Sequence, residues 1–218
     1  MPSPVSKTIS LEEVKVNLGS NWRNNYFTQN ARFLFANVID TSQNGFKALG
    51  TPTTSLSANG YYKQSVAYME LGNTGTSDED NWIAWQLDPA PAKHIYIKFK
   101  VAPGAKWCFL GFNDGTLNNS YHVVFDIPAS ANDFLLQKCV GGSSTTLASE
   151  GVDLSSTTYY TIEMLWDIEN GRLMVWRDGN LTFNIEDTDL TTLSYVFLRN
   201  YSTGSNSKFL LPVVVTWE

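Results

Sequence analysis

The fold class of this chain is decided by one stretch, TYYTIEMLWDIENGRLMVWRDGNLTFNI, residues 158–185. It contains two dipeptides, Asn170-Gly171 and Asp178-Gly179, which supply the positive φ angles of tight hairpin turns. Between these turns the residues alternate as in a strand with one buried face. The alternating positions are Leu173 and Val175 on one face and Arg172 and Met174 on the other. The stretch therefore predicts three short antiparallel strands joined by two turns.

Composition and charge support a β protein and exclude several functional classes. The chain has 218 residues, a length that all-β sandwiches reach as single domains. Aromatic residues make up 13% and charged residues only 17%, below the roughly 25% of typical globular chains. A formal net charge of −6 argues against nucleic-acid binding, which needs clustered lysine and arginine. No apolar segment approaches the ~20 residues of a membrane-spanning helix.

The chain reads as one domain, because it shows neither an internal repeat nor a long linker. We expect an N-terminal arm and first strand in residues 1–20, followed by a single β-sandwich domain in residues 21–218. The segment Met1-Pro2-Ser3-Pro4 lacks the basic start and apolar region of a signal peptide. Either a leader has been trimmed, or the protein leaves the cell by another route, as a virion component would.

Further strands follow at short spacing on both sides of the deciding stretch. The segment with the most regular alternation is His94–Val101. Pro212 interrupts the closing segment and indicates an edge position or a bulge there. About a dozen strands without a convincing helix predict two packed antiparallel sheets. The other strand candidates are Ala31–Val38, Tyr61–Leu71, Trp82–Leu87, Trp107–Phe112, Tyr121–Ile127, Phe134–Val140, Leu193–Tyr201 and Phe209–Trp217.

The deciding stretch resembles the late meander of concanavalin A-like lectin/glucanase domains, including laminin-G-type modules. In that family a strand ending in Trp, a Gly hairpin, a strand and an Asp-Gly turn occur in order. The matching residues here are Trp166, Asn170-Gly171, Leu173–Arg177 and Asp178-Gly179, and Leu210–Trp217 resembles the family's last strand. The resemblance implies an all-β, two-sheet antiparallel jelly-roll sandwich with a curved concave face. The family is dominated by carbohydrate recognition, adhesion and polysaccharide cleavage.

Seven tryptophans make glycan binding the leading functional hypothesis. Sugars present apolar C–H faces that stack on flat aromatic rings, and their hydroxyls need planar polar partners. Most tryptophans fill the core of a sandwich, but we expect at least one exposed ring. The candidate platforms are Trp82, Trp107 and Trp176, with Asn113, Asp114, Asp126 and Arg172 as polar partners. His122 shares a strand face with Val124 and Asp126, so it lies either in a groove together with Asp126 or on an ordinary sheet surface.

Catalysis is not expected from these residues. Retaining glycosidases need two carboxylates about 5–5.5 Å apart, and the glucanases of this family carry them on a Glu-x-Asp-x-x-Glu strand. The chain contains no such segment and no Gly-x-Ser-x-Gly elbow. Its acidic groups are Asp78-Glu79-Asp80 and Glu186-Asp187-x-Asp189, in loop contexts. They are either solvated charges or, at Asp78 and Asp80, ligands of a structural calcium ion, the one cofactor considered.

Two further features bear on where the protein acts. Cys108 and Cys139 either form a disulfide between neighbouring strands or remain buried free thiols. Three Asn-x-Ser/Thr sequons, at Asn118, Asn180 and Asn200, fit a glycosylated protein outside the cell or on a virion.

The sequence thus predicts a non-catalytic carbohydrate-binding or adhesion module that recognises a glycan or surface polysaccharide. We expect it in the extracellular space or on a cell or virion surface. One alternative is a virion structural protein, such as a turret, spike or decoration subunit, which would assemble as a homo-oligomer. A second alternative is a divergent polysaccharide hydrolase or lyase.

Overall fold

The computed structural model describes residues 32–34, 52–64, 68–88, 90–104, 106–127 and 133–217. These residues form fifteen strands and contain no helix, so none of them belongs to a helix able to cross a membrane. The expected N-terminal arm, residues 1–20, lies outside them. In chain order the strands are β1 Arg32–Leu34, β2 Thr53–Ser55, β3 Gly60–Gln64, β4 Tyr68–Asn73, β5 Glu79–Gln86, β6 His94–Ala102, β7 Trp107–Asn113, β8 Ser120–Asp126, β9 Asp133–Val140, β10 Ser143–Gly151, β11 Tyr160–Asp167, β12 Arg172–Arg177, β13 Asn180–Glu186, β14 Tyr195–Ser202 and β15 Asn206–Trp217.

The strands form two antiparallel sheets, which confirms the predicted fold class. The eight-stranded sheet has the order β13-β12-β11-β6-β15-β4-β3, with β1 paired to β15. The seven-stranded sheet has the order β10-β9-β8-β7-β14-β5-β2. Because β14 lies between β5 and β7, residues from distant parts of the chain meet on one sheet face.

The deciding stretch forms β11, β12 and β13, as predicted. Asp178 and Gly179 have φ angles of 49° and 84°, so both adopt the left-handed conformation that a two-residue hairpin turn needs. The other connection is longer. It spans residues 168–171, and there only Gly171 has a positive φ, of 59°. The meander therefore supplies one edge of the eight-stranded sheet.

The core fills the space between the sheets with alternate residues from both. Leu173 and Val175 of β12 face it, as do Leu110 and Phe112 of β7. The residues between them in each strand point away from the core, so each sheet also has an outward face. The candidate site lies on one of these outward faces.

Several details differ from the predicted strands, and one of them is the short strand β2, which was not predicted. Tyr61–Leu71 contains two strands, β3 and β4, which pair antiparallel with each other. The strand β10 went unpredicted because its segment SSTTLASEG is rich in serine and threonine and lacks apolar alternation. Near Pro212 the pairing of β15 with β6 shifts register between Leu210 and Val214, which fits the bulge alternative. The strand itself is internal rather than at an edge.

Of the two alternatives for the cysteines, the structure has the buried free thiols and not the disulfide. Cys108 belongs to the core-facing residues of β7, whereas Cys139 alternates with Leu136 of β9 and faces outward. The two thiols thus lie on opposite faces of the same sheet, with β8 between their strands. Burial raises the pKa of the Cys108 thiol to about 12, so this cysteine remains a neutral thiol.

Candidate functional site

A groove of about 500 Å3 lies on the outward face of the seven-stranded sheet. Its lining comes from β7, β8, β9, β10 and β14, and it combines aromatic rings, an apolar floor and several polar groups. This composition is typical of small-molecule binding sites. The lining residues are Trp107, Phe109, Val124, Asp126, Leu135, Gln137, Ser144, Arg199 and Tyr201.

One wall of the groove is a pair of stacked aromatic rings. Trp107 and Tyr201 are register partners on β7 and β14, and their ring centroids lie 5.2 Å apart with an interplanar angle of 27°. Both side chains are partly exposed. The Trp107 indole N–H donates a hydrogen bond to the Asp126 carboxylate on the neighbouring strand β8. The indole is therefore held in place while part of its surface remains accessible.

The floor of the groove carries an arginine with a fixed orientation. Arg199 donates hydrogen bonds to both carboxylate oxygens of Asp80, from Nε at 2.6 Å and from Nη2 at 3.0 Å. Its guanidinium carbon also lies 4.5 Å from the centroid of the Phe109 ring. A bidentate carboxylate pair combined with cation–π contact holds the guanidinium plane in place.

His122 lies on the same outward face as Val124 and Asp126, further along β8, and does not line the groove. Its ring is buried, with the Phe109 and Phe197 rings 5.6 Å and 5.9 Å away. Gly111 makes this packing possible, because a Cβ there would lie 2.6 Å from the His122 Cα. Burial, together with the charge of Arg199, lowers the pKa of His122 to about 3. The imidazole is therefore neutral and supports the floor, rather than contacting a ligand.

The other predicted residues of this sheet do not line the groove. Trp82 is partly exposed on the same outward face and pairs in register with Arg199, one strand beyond the lining. Asn113 is fully buried, so it is not available to a ligand. Asp114 lies in the following turn, where it accepts hydrogen bonds from Thr116 and from Asn119. Burial alone would raise its pKa, but these hydrogen bonds outweigh burial and lower it.

Two predicted residues belong to the other sheet and do not join the groove. Trp176 is only 2% exposed on β12, so the expectation that it serves as an exposed platform is wrong. Its outward neighbours Tyr96 and Glu163 are buried too, and a hydrogen bond of 2.5 Å joins them on this face. Arg172 spans two strands and donates to Asn184 at 2.6 Å. These contacts give both residues structural roles.

The calcium prediction does not fit the residues on which it was placed. Asp78 forms an ion pair with Lys106 and accepts a hydrogen bond from Thr203. Asp80 forms an ion pair with Arg199. The hydrogen bonds from Lys106 and Thr203 lower the pKa of Asp78. Each carboxylate thus has its own cationic partner. Within the described ranges, no group of three or more His, Cys, Asp or Glu residues could hold a metal ion.

The three sequons differ in accessibility. Asn118 and Asn180 are exposed, the second directly after the Asp178-Gly179 turn. Asn200 is 1% exposed, and its amide nitrogen donates to Ser207 at 2.8 Å. Glycosylation at Asn200 is therefore excluded in the folded protein, because the acceptor nitrogen is buried and bonded.

Sequence reasoning missed most of the lining besides Trp107 and Asp126. Arg199 and Tyr201 lie on a strand that is remote in sequence from β7 but adjacent to it in the sheet. Gln137 lies on β9, where it donates to Thr146 of β10 at 3.1 Å. The alternation of β14 could have indicated its outward face, since Val196 and Leu198 face the core. The strand order that joins these residues has no signal in the sequence.

No protein-family model and no curated sequence matches the chain significantly. Solved structures do resemble it. It is similar to the carbohydrate-binding module CBM66 from Bacillus subtilis, with a TM-score of 0.59 and 15% identity, over 75% of this chain and 94% of that one. It is also similar to the Ca2+-bound exoplasmic/lumenal domain of VIP36, with a TM-score of 0.61 and 12% identity, over 87% and 90% of the two chains.

A third similar structure is the metal-free carbohydrate recognition domain of Emp46p. It matches with a TM-score of 0.57 and 11% identity, over 76% of this chain and 87% of that one. At such identities the likeness establishes the fold and leaves the function to the site. The chain thus has the concanavalin A-like jelly-roll fold of lectin domains.

Proposed function

We propose that this protein is a non-catalytic carbohydrate-binding module and that its glycan site is the groove of the seven-stranded sheet. The observation that carries the proposal is the partly exposed Trp107–Tyr201 stack beside Asp126. A stacked aromatic wall offers the flat apolar surface on which the C–H face of a sugar packs. The adjacent carboxylate and guanidinium offer an acceptor and donors for hydroxyl groups.

The structural neighbours support the same function. CBM66 is a carbohydrate-binding module, and VIP36 has structures with bound mannose and with Man3GlcNAc. The number of carboxylates in the groove also supports glycan binding rather than glycan cleavage. Among the described residues that line it, Asp126 is the one carboxylate, and glycoside hydrolysis by the usual route needs two.

Calcium has no part in the proposed binding step. The VIP36 structures were obtained with Ca2+, but Asp78 and Asp80 of this chain are engaged by Lys106 and Arg199. We therefore expect glycan binding to be the same with calcium and with a chelator.

A module of this kind would act outside the cell or on its surface, where polysaccharides are found. The exoplasmic/lumenal origin of the VIP36 domain is compatible with that location. The exposed sequon at Asn180 is compatible with it as well.

The proposal is tested by a glycan array and by affinity electrophoresis in gels that contain neutral polysaccharides. We expect retardation by at least one polymer and a loss of at least about tenfold in affinity, or 1.4 kcal/mol, for Trp107→Ala. The control is Tyr159→Ala, which removes an exposed aromatic ring outside the groove. Absence of binding to every polymer, or equal binding by both variants, would contradict the proposal.

A further inference from the structure

The groove runs across the strands rather than along one of them. Its lining residues come from five strands that are consecutive in the sheet, in the order β14, β7, β8, β9 and β10. Neighbouring strands lie about 4.8 Å apart, so the four intervals between these five strands span roughly 19 Å. A span of this size is long compared with a single sugar ring.

Polar groups are distributed along this span instead of converging on one point. Asp126 and the Trp107–Tyr201 stack lie on β7, β8 and β14, towards one end. Gln137 and Ser144 lie on β9 and β10, at the other end. The floor between them includes the apolar residues Val124 and Leu135, which are cross-strand partners. A ligand that uses all these groups must itself extend across the sheet.

The cations at the groove already have carboxylate partners. Arg199 is held by Asp80 through two hydrogen bonds. Lys106, whose Nζ lies 5.2 Å from the centroid of the Trp107 ring, is paired with Asp78. An acidic sugar would have to displace one of these carboxylates and would also meet Asp126. An uncharged sugar can instead use the donors of the Arg199 guanidinium that lie outside the Asp80 pair, because arginine has five N–H groups.

From the span and the charges we infer that the groove binds an uncharged linear polysaccharide, several sugar units of which lie across β14, β7, β8, β9 and β10. This inference rests on the proposed glycan-binding function and adds the length and the charge of the ligand. It also assigns Asp80 a role in specificity, because Asp80 neutralises the guanidinium that would otherwise attract acidic chains.

The length is tested by calorimetry with oligomers of glucose, xylose, mannose and fructose that contain one to six units. We expect affinity to rise at least tenfold from the monosaccharide to the tetrasaccharide of the preferred sugar and then to level off. Gln137→Ala should weaken binding of the tetrasaccharide several times more than binding of the monosaccharide. Equal affinity for one and six units would overturn the inference and leave the proposed function intact. Absence of binding to all oligomers and polymers would overturn both.

The charge is tested with hydroxyethyl and carboxymethyl derivatives of the same preferred polymer, which differ mainly in ionisation. We expect the wild-type protein to bind the hydroxyethyl form at least tenfold more tightly. Asp80→Asn removes the charge that neutralises Arg199 and should narrow this preference severalfold. Asp178→Asn is the control, since Asp178 lies at the turn of the other sheet and should leave the preference unchanged. A preference of the wild type for the carboxymethyl form would overturn the inference.

Discussion

Trp107 on β7 and Trp176 on β12 have similar patterns in the sequence and opposite surroundings in the fold. Each alternates with core-facing residues, and each lies on the outward face of its own sheet. Trp107 is partly exposed and forms one wall of a groove, whereas Trp176 is buried on a face that also buries Tyr96 and Glu163. The difference shows that alternation identifies the face of a strand, while the burial of that face depends on the elements around it.

The largest expected difference concerns stability. Trp176→Ala removes a fully packed ring and should lower the free energy of unfolding by about 3–5 kcal/mol. Trp107→Ala removes a partly exposed ring and should cost no more than about 1 kcal/mol. Urea denaturation followed by circular dichroism measures both values. If Trp107→Ala lowered the free energy of unfolding as much as Trp176→Ala, the two tryptophans would not differ in how they are packed, which would contradict the comparison.

The next largest effect is a pH dependence of stability that arises from His122 in the seven-stranded sheet. The pKa of His122 is about 3 in the folded protein, because the ring is buried, and near 6.5 when unfolded. As the pH falls below 6.5, His122 is therefore protonated in the unfolded chain but remains neutral in the folded protein. The stabilising contribution of neutral His122 is fully present above this pH. The free energy of unfolding should therefore fall by about 2 kcal/mol between pH 7 and pH 5. Denaturant midpoints across this range measure the slope.

Two histidine variants sharpen that test. His122→Gln should flatten the slope between pH 7 and pH 5, whereas His94→Gln, which changes the chain's other histidine, should retain it. A slope that persists in His122→Gln would show that another group titrates with folding.

A smaller effect on stability separates two matched arginines. Arg199 pairs with Asp80 beside the groove, and Arg172 pairs with Glu186 on the other sheet. Both partner carboxylates are substantially exposed, so Arg199→Met and Arg172→Met should each change stability by no more than about 1 kcal/mol. Only Arg199→Met should weaken glycan binding. Equal glycan binding by the two variants would show that Arg199 does not contribute to the site.

The smallest expected effect is that of a reducing agent. Cys108 and Cys139 are free thiols on opposite faces of the seven-stranded sheet. Dithiothreitol should therefore leave the Tm of the protein unchanged in differential scanning calorimetry. A clear decrease in Tm would indicate that the two cysteines are linked in solution.

The fold was predictable from the sequence because its strongest signals are local. The Asp178-Gly179 turn and the alternation of Leu173 with Val175 depend on residues that are close in the chain. The strand β10 was missed because serine and threonine give no apolar pattern. Where apolar alternation is present, strands can be found without knowledge of their neighbours.

The candidate site was only partly predictable because it depends on strand order. Trp107 and Asp126 could be proposed from the alternation of their own strands, and they are cross-strand neighbours. Tyr201 completes the aromatic wall only because β14 inserts between β5 and β7, far from its place in the sequence. The burial of Trp176 is likewise a property of its surroundings. No pattern within β12 distinguishes it from Trp107.

The position of β10 at the edge of the sheet has a consequence for how such a groove can change. Ser144 contributes to the lining from a strand whose residues are mostly exposed and which has one neighbour in the sheet, β9. Substitutions there disturb few packed contacts, in contrast to those at Gly111, where any side chain meets backbone. A library randomised at exposed positions of β10 should consequently yield folded proteins with altered sugar preference. Substitutions in β10 could therefore change which sugars the groove binds while the floor of the groove remains unaltered.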